Sequence, residues 1–296
     1  NKNNFLIESL VYLFNYGLPN FQIREKSDNF DLDLKKILQD IYEVVFLLDY
    51  LYISKKIDYE IYIYKRNRNI KKFLFNLFDI IKRNYTSQNN IFSDLSPILF
   101  GSYGINKALP SSDVDLFFIY HSKENNHIDN IKIVRRFYNV INQYVDKDFL
   151  TIDDRNKPFD KSSDQVIQFD KFFDFYLKTD EIFHQLSFLK TKILSRSTNI
   201  ARLFYLRKNE IISQYSSIDK NYIKKILDLK NPKENFKDLV QLYKISDEIF
   251  TFNKEEFSLK GKFKIFNEEL VRANLYNSST KTDLSQSLDE LLKIID

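Results

Sequence analysis

The chain has no cysteine, methionine or tryptophan, and only four glycines and five prolines among 296 residues. Without cysteine it forms no disulfide and has no thiolate chemistry, and zinc would have to be held by histidine and carboxylate alone. Three scattered histidines, His121, His127 and His184, argue against such a site. No run of about eighteen apolar residues is present, and the first residues lack the basic-then-apolar order of an export signal. No membrane association is therefore expected, and the expected compartment is the cytoplasm. A strong charge of one sign is also missing: 45 basic groups against 41 acidic ones leave +4. That balance argues against nucleic acid as a partner.

What is present is a globular composition, 43% hydrophobic and 29% charged, on a chain long enough for one large or two modest domains. Three regions are expected: a helical region over 1–88, a mixed α/β core over 89–195 and a second helical region over 196–296. In the first, Leu34, Ile37, Leu38, Ile41, Val44, Val45 and Leu48 form the i, i+3, i+4, i+7 stripe of a core-facing helix. A second helical pattern runs from Tyr64 to Tyr85; its basic cluster from Lys65 to Lys72 is read as a solvated face. In the middle region short apolar runs alternate with helical pattern. "PILF", "VDLFFIY" and "DFLTI" read as strands and "IDNIKIVRRFYNVINQYV" as a helix. Beyond Glu181 the pattern is helical.

Two of the four glycines, Gly101 and Gly104, fall in one short stretch, "ILFGSYGINKALPSSDVDLFFIY". Read as strand, turn and helix start, it lets Gly101 bring backbone close to a ligand and offers the Ser102 hydroxyl and amide to a phosphate. Residues two apart on a strand share a face, so Asp113 and Asp115 should project together while Val114 and Leu116 anchor the strand. Two adjacent carboxylates repel unless a cation lies between them, and magnesium combines carboxylate with phosphate oxygens readily. The pattern points to metal-assisted phosphoryl or nucleotidyl transfer. The bland alternative makes Ser111, Ser112 and Asp113 a simple turn.

These residues resemble the polymerase-β-like nucleotidyltransferases, whose signature is an apolar strand, Gly-Ser, about a dozen residues and then Asp-x-Asp. The resemblance implies an α+β fold: a small mixed sheet with helices, flanked here by N-terminal and C-terminal helical regions. It also implies a third carboxylate from a later strand, Asp153 or Asp154 in "DFLTIDDRNKP", and two Mg2+ ions with ATP as substrate. A narrower resemblance is to the glutamine synthetase adenylyltransferases, which carry apolar-Asp-x-Arg-x-Arg-Pro after the third strand. "IDDRNKP" matches with Asp153 as metal ligand and Arg155 and Lys157 facing the phosphates. "FHQLSFLKTKI" is similar to a family helix, with Lys190 and Lys192 in its basic places and His184 where the family has Glu. "SLKGKFKIFNEELV" keeps Leu259, Lys260, Gly261, Ile265 and Glu269, with Asn267 in place of Asp.

The resemblance implies Asp113, Asp115 and Asp153 as catalytic metal ligands, and Gly101, Ser102, Ser112, Arg155, Lys157 and Lys190 as nucleotide-binding residues. It further implies AMP transfer from ATP to a protein tyrosine, or phosphorolytic removal of that AMP, with a glutamine synthetase-like acceptor. The alternatives are a nucleotidyltransferase acting on a small molecule, RNA or another protein, and a degenerate nucleotide-binding regulator. For His184 a partly buried helix position with one hydrogen bond is preferred to a catalytic role.

Overall fold

The computed structural model describes residues 29–89, 94–110, 112–121, 127–153, 166–179, 181–195 and 197–212. Contacts divide the chain into two compact units, one of Asn1–Ser93 with Asn126–Lys147 and one of Asp94–Asn125 with Asp148–Asp296. Among the described residues no helix is long and apolar enough to cross a membrane.

The first unit is helical. Helix α1 (Phe30–Ile53) starts where the Asn29 side chain accepts a hydrogen bond from the Leu32 amide at 3.1 Å. Asp31 and Asp33 in the first turn suit the positive end of the helix dipole. The expected apolar stripe is the buried one, with Leu34, Ile41, Val45 and Leu48 inside. A short connection, in which Lys55 takes a left-handed conformation, leads into α2 (Tyr59–Asn89). The Asp58 carboxylate accepts from the Ile61 amide at 2.8 Å and caps its start. Where α1 meets α2, the Tyr52 and Tyr62 rings stack at 4.5 Å and the Tyr62 hydroxyl donates to Asp49 at 2.6 Å. Arg66 lies 3.9 Å from the same carboxylate. The basic cluster is therefore split. Arg68 is exposed, whereas Arg66 and Lys71 are buried. Helix α4 (His127–Tyr144) packs on α2 through Phe78 and Phe137, and the Tyr85 hydroxyl donates to Asp129.

The second unit is built on a small mixed sheet. Strand β1 (Ser96–Leu99) pairs antiparallel with β2 (Val114–Tyr120), Leu99 opposite Leu116. Between them lies a single helical turn, α3 (Gly101–Gly104). The other edge of β2 carries two short parallel strands in succession, β3 (Ile152–Asp153) and β4 (Val166–Gln168). The free side of β1 pairs antiparallel with β5 (Lys192–Ile193). Helices α5 (Phe169–Lys178), α6 (Ile182–Leu189) and α7 (Thr198–Ile212) complete the unit. They enclose an aromatic core in which Phe172, Phe173, Tyr176, Phe188 and Phe204 meet Phe117 and Ile119 of the sheet. Val114 and Phe118 on the opposite face are buried as well, which is why β2 reads as a nearly continuous apolar run.

The small mixed sheet with helices is the expected fold class. Locally the structure departs from the sequence expectation in two places. Residues 148 and 149 of the expected strand "DFLTI" lie in a turn, and the pairing begins only at Ile152. The expected helix through "FLKTKI" stops at Leu189, so Lys190 caps α6 and Lys192 lies in β5.

Candidate active site

The Gly-Ser turn is fixed by backbone before any side chain contributes. The Phe100 amide donates to the Asp115 carbonyl at 3.0 Å, carrying the antiparallel pairing of β1 and β2 one residue past Leu99. Gly101 then adopts φ +58, a left-handed conformation that L side chains rarely take. A Cβ there would lie 2.5 Å from Oδ2 of Asp115. The glycine is favoured by its backbone angle, and the Asp115 carboxylate lies directly against it. Gly104, at the end of the turn, is required by packing, because a Cβ would fall on the backbone carbonyl oxygen of Lys190.

The return from α3 to β2 is pinned as well. The Lys107 amide donates to the Ser102 carbonyl at 2.9 Å, and Asn106 turns the chain at φ +61. The Ser112 hydroxyl accepts from the Leu109 amide at 3.0 Å, and the Ser112 amide donates to the Leu109 carbonyl at 2.9 Å. This holds Asp113 one residue ahead of β2. Asp113 and Asp115 are half-buried and alternate with buried Ser112, Val114 and Leu116, at the open start of the strand face that Phe117 and Ile119 carry into the core. On the neighbouring strand Asp153 stands in register with Asp115, and Ile152 with Val114. The Val114 amide donates to the Thr151 carbonyl at 2.8 Å, which anchors that register.

The structure thus gathers Gly101, Ser102, Asp113, Asp115, the backbone position of Asp153 and, through Gly104, the backbone of Lys190. Ser102 and Lys190 are both buried. Ser112 is close in sequence but its hydroxyl already serves the turn. Arg155 and Lys157, Asp154 and the whole of "SLKGKFKIFNEELV" lie outside the described residues, as does the Asp153 side chain. His184 is half-buried in α6, with Nδ1 3.3 Å from the Thr179 hydroxyl and 3.4 Å from the Glu181 carboxylate, and with the Phe175 ring 5.1 Å away. Those contacts match the structural role preferred for it.

One feature escaped sequence reading. Lys208 on α7 is buried and donates to the carbonyls of Leu189 at 2.9 Å and Thr191 at 2.7 Å, on either side of Lys190. Its position between buried Phe204 and Ile211 on one helix face was the available signal.

The site's donors suit a hard cation. Two carboxylates supply oxygen, and the glycine leaves open the space a Cβ would take; magnesium typically asks for one or two protein carboxylates, with phosphate and water oxygens for the rest. Among the described residues no group of three or more His, Asp or Glu side chains is placed to hold a metal ion, here or elsewhere; the Asp153 side chain lies outside them.

No curated protein matches the chain. Residues 76–184 match the family model described as a nucleotidyltransferase domain, a span that contains the Gly-Ser turn, Asp113, Asp115 and Asp153.

Proposed function

We propose that the protein transfers AMP from ATP to a tyrosine hydroxyl of an acceptor protein, or removes that AMP by phosphorolysis, in a magnesium-dependent reaction. The observation that carries this reading is the Asp115 carboxylate lying against Gly101, whose left-handed backbone turns there. Asp113 and Asp115 would hold magnesium together with Asp153, which stands in register with Asp115. Magnesium bound there would neutralise the charge on the triphosphate and on the departing pyrophosphate.

The chain's own residues would do the rest. Amides of the Gly101–Ser102 turn would face phosphate oxygens, with Lys190, Arg155 and Lys157 as further phosphate-binding groups; a guanidinium holds two such oxygens at once. A base near Asp153 would take the proton as the tyrosine oxygen approaches, the third carboxylate lying on the acceptor side in folds of the kind the chain resembles. The new bond joins that oxygen to the α-phosphorus. The bond from the α-phosphorus to the bridging oxygen breaks, and pyrophosphate leaves. Run backwards with orthophosphate as the attacking group, the same site would release ADP and restore the tyrosine. The resemblance to the glutamine synthetase adenylyltransferases supports tyrosine as the acceptor.

Incubation with α-labelled ATP, magnesium and glutamine synthetase tests this. The expected result is label on a synthetase tyrosine with one pyrophosphate released per label, both lost in Asp113→Asn/Asp115→Asn. Pyrophosphate release with label on another acceptor would overturn the tyrosine assignment and leave nucleotidyl transfer standing.

A further inference from the structure

We propose that Lys208 is a positioning residue for the candidate site, setting the place of the Gly101–Gly104 turn through the backbone of residues 189–191. The inference rests on the nucleotidyltransferase reading above.

Lys208 occupies a position that the pattern of α7 assigns to the core. It lies four residues after Phe204 and three before Ile211, both buried, and is itself only 9% exposed. An ammonium in such a place is costly unless its donors are used. Here they are. Nζ donates to the carbonyls of Leu189 and Thr191, groups left over where α6 ends and where its dipole is negative. A leucine or methionine would fill the same space without bonding either carbonyl. What the lysine adds is a fixed position for the chain between them.

That chain is Lys190, and its carbonyl oxygen occupies the space where a Cβ of Gly104 would be. The contact is backbone against backbone, with no flexible side chain to absorb a shift. Two further ties hold the segment from other sides. The Thr191 hydroxyl donates to the Phe188 carbonyl at 2.7 Å, and Lys192 of β5 pairs with Leu99, two residues before Gly101. From Lys208 a run of rigid contacts therefore passes through 189–191 to Gly104 and along a four-residue turn to Gly101, against which Asp115 lies. Displacements of about 1 Å at a reacting centre cost on the order of a hundredfold in rate, so loosening this support should be felt at the nucleotide.

Three variants of the full chain test the proposal, with ATP and magnesium as the probe, affinity read by calorimetry and folding by a melting curve. Lys208→Met keeps the stem and removes the donors. It is expected to weaken ATP binding by about tenfold or more at temperatures where it is fully folded. Lys208→Arg, which keeps donors in place, is expected to recover most of that loss. Thr191→Val removes only the tie to Phe188 and is expected to weaken binding less. A lowered melting temperature with unchanged ATP affinity in Lys208→Met would overturn the proposal. If that variant does not fold, unchanged affinity in Thr191→Val overturns it instead. Absence of ATP binding by the wild type would overturn the site reading, and this inference with it; equal binding by wild type and Lys208→Met overturns this inference alone.

Discussion

Gly101 links conformation to chemistry in one residue. Its φ of +58 is a region where an L side chain costs about 1–2 kcal/mol. The second cost is local, since the Cβ would press on Oδ2 of Asp115. Gly101→Ala should therefore lower unfolding free energy by roughly 1–2 kcal/mol in denaturant titration while abolishing ATP binding at concentrations that saturate the wild type. Loss of stability with full retention of binding would mean that the carboxylate near Gly101 plays no part in the site. Gly101, Ser102, Asp113 and Asp115 were legible because a glycine-poor chain marks its tight turns clearly, and because the carboxylates interrupt an apolar strand at an alternate spacing. Gly104 was legible only as a neighbour. The reason it is glycine is the Lys190 carbonyl, which is 86 positions away in sequence and reaches it only through the fold. Lys208 left only a positional signal, its place between Phe204 and Ile211, because its partners are backbone carbonyls, which leave no mark in a side-chain pattern.

At the scale of elements, the helices with a sustained apolar stripe were readable and the shortest strands were not. Helix α1 shows its stripe over most of its 24 residues, and the buried positions follow it. Strands β3 and β5 contain two residues each, fewer than one period of alternation can reveal. They exist because β2 and β1 offer open edges, a property of the assembled sheet. The contact of α1 with α2 carries its own expectation. Burial raises the Asp49 carboxyl above its ordinary value of 3.8, against the opposing pull of Arg66 and of the Tyr62 hydroxyl. A carboxyl with a raised folded value binds more protons in the native state than in the unfolded one just above pH 3.8. Stability is then lost as pH rises through that window. Asp49→Asn should flatten this downward slope in pH-dependent unfolding, although it lowers stability at neutral pH by leaving Arg66 without its carboxylate. A slope identical to that of the wild type would show that Asp49 does not titrate in this way.

At the scale of the whole molecule, the division into units does not follow sequence order. Asn126–Lys147 interrupts the sheet-bearing segments, yet its contacts are with the N-terminal helices. No local pattern announces this, since an amphipathic helix such as α4 shows that it has a buried face and not which neighbour covers it. The nucleotidyltransferase match, over 76–184, draws on both units. The proposed site lies at one end of the β1–β2 pair, where the turn after β1, the start of β2 and β3 converge. The account therefore depends on those carboxylates and that turn acting together as a metal-dependent nucleotide site. The most direct measurement is calorimetric titration of ATP with and without magnesium, on the wild type and on Asp113→Asn/Asp115→Asn. The account predicts binding that requires magnesium and is lost in the double variant while its melting curve stays cooperative. No binding by the wild type at millimolar ATP, or equal binding by the double variant, would contradict it.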